Sequence, residues 1–220
     1  MASYGQFCSM ARAHEAIGGR WTLLIVREIL SGGRRFNDIR RGIPRISRTM
    51  LSERLQELAQ IGALARHDGE HGPEYELTDA GRELATLVIA FATWGQRWLS
   101  RKSDADIDVE PVLVDMQKRV RIGALPDQPL VVRFEIDGPR RPRFMLLRAE
   151  EISLCKENPG FPEPLKVRAP LSALIAWWRG DASFAMAQRM GLKLEGPRAL
   201  TRAFPDWFAR YQFADIRPAA

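Results

Sequence analysis

Arg34-Arg35-Phe36-Asn37-Asp38-Ile39-Arg40-Arg41-Gly42-Ile43-Pro44-Arg45-Ile46-Ser47-Arg48-Thr49-Met50-Leu51-Ser52-Glu53-Arg54-Leu55-Gln56-Glu57-Leu58-Ala59-Gln60-Ile61-Gly62 is the stretch on which the reading of this chain turns. Its second half predicts a helix capped by Ser47 and running to about Ile61, where Gly62 stops it. Leu51, Leu55 and Leu58 stand at i, i+4 and i+7 and form one buried stripe. Thr49, Ser52, Glu53 and Gln56 then fall on or near the opposite face. That face is polar and short-chained, and mostly uncharged at its N-terminal end.

The first half predicts a shorter helix over about Arg35–Arg41, with Phe36 and Ile39 turned inward and Pro44 forcing a turn. Between Arg34 and Arg48 lie Arg34, Arg35, Arg40, Arg41, Arg45 and Arg48 against Asp38 alone, six cations to one anion, or +5. A charge run alone is an ordinary solvated surface. Placed around two short helices joined by a tight turn, it is what a helix entering a major groove requires. The expected contacts with duplex DNA are Arg34, Arg35, Arg40, Arg41, Arg45, Ser47 and Arg48 around the turn and Thr49, Ser52 and Gln56 on base edges.

Working outward, residues 9–17 predict a first helix stopped by Gly18-Gly19, and 20–30 a second, apolar on nearly every side and hence central. After Gly62, Ala63–His67 and Glu74–Leu77 are strand candidates joined by Asp68-Gly69-Glu70-His71-Gly72-Pro73, a hairpin tip of turn formers. This is a wing, with Arg66 its fixed cation and a further DNA contact. A long helix opens at Thr78-Asp79-Ala80-Gly81 and reaches about Leu99. Leu84, Leu87, Val88, Phe91 and Trp98 make one stripe, and Ile89 and Trp94 add another. So much apolar surface on one small domain calls for a second copy of the chain as cover.

The polar stretch 100–108 is the expected boundary, dividing the chain into domains 1–100 and 109–220. Beyond it a helix over 110–121 leads into strands at Leu130–Ile136, Arg143–Leu147, Ile152–Cys155 and Lys166–Ala169. Helices follow at Leu171–Trp178 and Ala182–Met190, then a short strand at Lys193–Glu195 and a last helix at Ala199–Phe208. The expected fold class is α+β: a winged helix-turn-helix, mainly α with a small β-hairpin, followed by an α+β domain.

The N-terminal pattern resembles the HxlR-type family of bacterial winged-helix regulators. The matching stretches are Cys8-Ser9-Met10-Ala11-Arg12-Ala13, Ile17-Gly18-Gly19-Arg20-Trp21 with the helix after it, Arg35-Phe36-Asn37-Asp38-Ile39-Arg40-Arg41 through Ser47, and Tyr75-Glu76-Leu77-Thr78-Asp79-Ala80-Gly81. The resemblance covers about residues 7–99. It implies a transcriptional regulator that pairs as a homodimer through its terminal helices and sets two recognition helices into successive major grooves.

The stretch Val167–Gly180, with Ala187–Gly196, is similar to the sterol-carrier-protein-2 (SCP2) superfamily in the order strand, helix, Gly stop, helix, strand. That likeness implies a sheet covered by helices, often around an apolar cavity. The aromatics Trp177, Trp178, Phe184, Phe204, Trp207 and Phe208 either line a pocket for an apolar effector or fill a core. The expected pocket walls are Leu171, Leu174, Ile175, Trp178, Phe184, Met186, Met190, Phe204 and Phe208.

Other chemistries find little support. The 220 residues are 45% apolar, ordinary for a folded protein. No apolar run approaches the ~18–20 residues a membrane span needs. No signal-peptide plan is visible, which gives a cytoplasmic expectation. Cys8 and Cys155 stand 147 positions apart, neither a disulfide framework nor a metal site. Cys8, close to Arg12, has two readings: a redox sensor, or a small residue packed at a dimer interface. His67 and His71 lack a third metal ligand and read as solvated wing residues. There is no Gly-rich phosphate loop, zinc motif or nucleophile elbow, so neither catalysis nor a cofactor is expected. A different class of reading is an apolar-ligand carrier whose helical half serves mainly to dimerise it.

Overall fold

The computed structural model describes residues 3–99, 107–137, 141–217 and 219. The chain divides into two compact units, Met1–Gly95 and Gln96–Ala220.

The first unit is built from helices α1 (Ser9–Ile17), α2 (Thr22–Leu30), α3 (Phe36–Gly42) and α4 (Arg48–Gln60), the antiparallel hairpin β1 (Leu64–Gly69) and β2 (Gly72–Leu77), and α5, which begins at Asp79. Its core is the set of apolar residues that helical periodicity turns inward. Ile25, Val26 and Ile29 of α2 meet Ile39 of α3, Leu51, Leu55 and Leu58 of α4, and Leu64 and Leu77 of the hairpin.

Three expectations need correcting here. Helix α2 starts at Thr22, not Arg20, because Trp21 sits in the left-handed region with φ 81° and cannot continue a helix backwards. It is not buried all round: Leu24 and Leu30 are exposed. The wing strands run further than expected, to a tip of only Glu70 and His71, because the pairing continues through Asp68↔Pro73 and Gly69↔Gly72.

The junction of wing and α5 explains the motif at 78–81. The Thr78 hydroxyl donates to the Gly62 carbonyl at 2.6 Å and accepts from the Gly81 N–H at 3.2 Å, capping the helix. The Thr78 N–H donates to the Ala63 carbonyl at 3.2 Å. That carbonyl lies where a Cβ on Gly81 would have to go.

The second unit places five strands in the order β5-β4-β3-β6-β7. These are β3 (Leu130–Ile136), β4 (Arg143–Arg148), β5 (Glu151–Cys155), β6 (Leu165–Ala169) and β7 (Lys193–Glu195). Central β3 and β6 are parallel and the other pairs antiparallel. Helices α6 (Val109–Lys118), α7 (Leu171–Trp178), α8 (Phe184–Arg189) and α9 (Arg198–Ala203) complete it. The period of two decides the layers. Val132, Phe134, Ile136, Met145, Leu147, Leu165 and Val167 face the core they share with α6 and α7. Val131, Phe144 and Leu146 form a small cluster apart from it, with Cys155 and Phe161 packed against them.

The expected last helix over 199–208 is broken: α9 ends at Ala203 and Phe204–Trp207 is a 3-10 turn, since Pro205 has no N–H to continue the ladder. Helix α8 begins at Phe184 rather than 182, because Ser183 caps it, accepting from the Met186 N–H at 3.2 Å. Of the expected boundary stretch, residues 100–106 lie outside the described residues.

Gly81→Ala is expected to destabilise the first unit by about 1–3 kcal/mol, because the added methyl meets a backbone carbonyl rather than a movable side chain. Urea unfolding followed by circular dichroism measures it. Unchanged stability would show that α5 is not seated on Ala63.

Candidate functional site

Helix α4 is held by its leucines: Leu51, Leu55 and Leu58 are buried, which fixes the rotation of the helix and leaves Thr49, Ser52 and Gln56 exposed together. Ser47 is exposed just before α4. Its hydroxyl accepts from the Met50 N–H at 3.1 Å and serves as the helix cap. The uncapped N–H groups of that first turn leave a positive helix end beside Arg48.

Helix α3 is fixed from behind by a polar contact that sequence reasoning missed. Arg27 Nε and Nη2 donate to Glu28 Oε1 at 2.9 and 2.6 Å, and Nη2 also reaches the Gly42 carbonyl at 3.3 Å. Glu28 is buried, and a Cβ on Gly42 would overlap its carboxylate. The absence of a side chain at 42 thus lets a buried carboxylate lie against the end of α3. Only a buried acid beside an arginine in an otherwise apolar helix hinted at it.

The six arginines divide by environment. Arg34, Arg41, Arg45 and Arg48 are exposed. Arg40 is partly buried, with Nε enclosed. Arg35, expected at DNA, directs Nε and Nη2 at Glu74 Oε1 of the wing, at 3.2 and 3.1 Å. Arg66 is exposed on β1, 3.8 Å from Asp68. His67 lies 3.9 Å from Glu76, and His71 is at the exposed tip. Among the described residues no group of three or more His, Cys, Asp or Glu could hold a metal. Cys8 is exposed just before α1.

The second candidate site is drawn together by rings. Phe204 is the hub, with ring centroids 5.8 Å from both Trp177 and Trp207, 6.2 Å from Phe184 and 6.4 Å from Phe134, while Trp177, left out of the expected wall, lies 5.1 Å from Phe184. Phe204 and Phe208 are 5.3 Å apart. Leu174, Ile175 and Trp178 are buried, and Leu171 and Phe184 partly so. Met186 and Met190, expected in the wall, are 44% and 41% exposed, because α8 is short and turns only Ala187 fully inward. The Trp178 indole N–H donates to Asp115 Oδ2 at 2.7 Å.

Elsewhere in this unit a polar depression of about 390 Å³ is lined by Arg133, Glu135, Ile136, Asp137, Arg141, Pro142 and Arg168. There Arg168 Nε donates to Glu135 at 2.6 Å, and this bond holds the Glu135 carboxyl below the usual carboxylate range.

The cap gives a direct test of how α4 is held. Ser47→Ala is expected to cost about 0.5–2 kcal/mol, while Ser47→Asp keeps the cap and its stability. Thermal melts compare them. Equal stability for all three would remove Ser47 from this role.

A model of the HxlR-like helix-turn-helix family matches residues 16–103. An uncharacterized HTH-type transcriptional regulator of Mycobacterium tuberculosis, Rv3095, is 42% identical over 96 residues, which are 42% of this chain and 60% of that protein. The match therefore spans less than two thirds of that relative's length. The uncharacterized HTH-type transcriptional regulator YvaP of Bacillus subtilis is 36% identical over 91 residues, 40% of this chain and 84% of YvaP. Among solved structures, the reduced form of the transcriptional regulator YodB from B. subtilis matches at 30% identity and a TM-score of 0.38, covering 44% of this chain and 100% of that one. With the family model lying across α2, α3, α4 and the wing, and YvaP matched over most of its length, the chain belongs to the HxlR-like helix-turn-helix family.

Proposed function

We propose that this protein is a transcriptional regulator that binds duplex operator DNA through α4, the arginines around it and the wing. The single observation that carries the reading is the exposed polar face of α4, Thr49, Ser52 and Gln56, flanked by exposed Arg41, Arg45 and Arg48. Short polar side chains on a helix whose other face is locked in a core suit base edges, and cations at its N-terminal end suit phosphates. Ser47 contributes through its cap. Arg34, Arg40 and Arg66 complete the cationic surface.

Gel shifts with genomic fragments test the reading. Across the fragments bound, Arg41→Ala with Arg48→Ala is expected to weaken all sequences alike and to lower the salt slope by about two units. Unaltered affinity and slope would place the DNA on another surface.

We further propose that the working form is a cytoplasmic homodimer, its domain 1–100 reading DNA and its SCP2-like domain 109–220 sensing an apolar molecule. For the dimer, the support is an apolar face on α5 (Asp79–Trp98), where Leu87, Phe91 and Trp94 are 43%, 66% and 53% exposed. Helix α1 has no buried residue. Faces of this kind are normally covered by a partner. For the sensor, the support is a sheet sharing its core with helices, and a Trp207 indole N–H that is buried without a hydrogen-bond partner among the described residues. A buried orphan donor within an aromatic cluster would be satisfied by a ligand oxygen. Such a ligand must bind the DNA-competent and incompetent states unequally to act as a signal. No helix among the described residues is long and apolar enough to cross a membrane.

Native mass spectrometry of the purified protein reads both proposals at once. A dimer carrying a retained small molecule is expected, with Phe91→Asp giving monomer or insoluble protein, since it would bury an unpaired charge. A ligand-free monomer at micromolar concentration would contradict both.

A further inference from the structure

The wing is joined to the helix-turn-helix by a contact that sequence spacing hides. The backbone just before α3 runs beside β2: the Tyr75 N–H donates to the Arg34 carbonyl at 2.7 Å, and Arg35 forms an isolated antiparallel bridge with Glu74. That bridge places the two side chains so that Arg35 Nε and Nη2 both reach Glu74 Oε1, at 3.2 and 3.1 Å. The two residues are 39 positions apart, and their side chains are 45% and 31% exposed.

We propose that Arg35 is a positioning residue: it clamps the wing against the helix-turn-helix and does not serve as a phosphate contact. The inference rests on the DNA-binding reading above. A guanidinium with its Nε edge on a carboxylate brings no net charge to a phosphate, and releases no counterion of its own on binding. What it supplies is orientation. Glu74 pairs across the hairpin with His67, next to Arg66, so fixing Glu74 fixes where the wing presents that arginine. An ion pair this exposed contributes little to overall stability. The fold should therefore survive its removal, and the effect should fall on wing geometry. Arg35 differs in this from Arg34, Arg41 and Arg48, whose cations belong to the phosphate surface.

The test compares Arg35→Ala, Glu74→Ala and the exchange Arg35→Glu with Glu74→Arg in the full chain. Two readouts are used: fluorescence-anisotropy titration of the duplex that the wild type selects, at several salt concentrations, and amide hydrogen exchange. Either alanine variant should weaken binding about two- to fivefold, the scale of one exposed ion pair, and leave the salt slope within a fraction of a unit. The exchange variant should return to near wild-type affinity. Amides of residues 64–77 should exchange faster in both alanine variants and recover in the exchange variant, whether or not DNA is present. Tighter DNA binding by Glu74→Ala, which would mean a released phosphate contact, overturns the proposal. So does a slope lowered by about one unit in Arg35→Ala with no rescue by the exchange. A wild type that binds no DNA would defeat the functional reading, and the amide exchange would still decide the clamp.

Discussion

An amphipathic helix buries one side and exposes the other, and in this protein that constraint on α4 governs what the first unit can do. Leu51, Leu55 and Leu58 are pressed into a core built by Ile25, Val26 and Ile39. Their burial removes the freedom of α4 to rotate. The opposite residues then have no choice of direction, and Thr49, Ser52 and Gln56 are held outward together. A recognition surface requires such rigidity, since base contacts on a helix free to turn would be averaged over several registers. The Arg27–Glu28 pair against the end of α3 and the Ser47 cap at the start of α4 hold the two ends of the intervening turn.

What the sequence displayed clearly is what depends on local period and local stop signals. The span of α1, the leucine stripe of α4, and the spans of β3, α7 and β7 follow from spacing, from Gly and Ser at element ends and from runs of apolar residues. What it hid are contacts between distant segments. Arg35 was one of six cations in a cluster and nothing near it in sequence marked it as different. Its partner Glu74 comes from a strand across the domain. Glu28 and Gly42 were likewise unreadable as a pair. Pro205 was visible, yet its consequence, a 3-10 turn in place of a continuous helix, was not drawn from the apolar pattern around it.

The second unit shows the same division between period and packing. Alternation along β3 separates Val132, Phe134 and Ile136, which lie in the main core, from Arg133 and Glu135, which join a lattice of ion pairs with Arg168 and Glu163. The aromatic residues were evident as a group from composition. Which of them would be the centre was not, because only three-dimensional packing gathers the other rings around Phe204. Phe204 touches five other rings and Trp177 four, whereas Trp178 is tethered by its indole N–H to Asp115. A sensing role for this unit would have to work through that packing, by favouring one arrangement of it over another.

The central claim is that the exposed face of α4 meets base edges of duplex DNA. It is tested most directly by amide chemical-shift mapping of the labelled protein during titration with a duplex it selects from a random library. The account predicts that the largest shifts cluster at Arg48, Thr49, Ser52 and Gln56, with a second group in the wing. Shifts confined to the second unit, or spread evenly without α4, would contradict it.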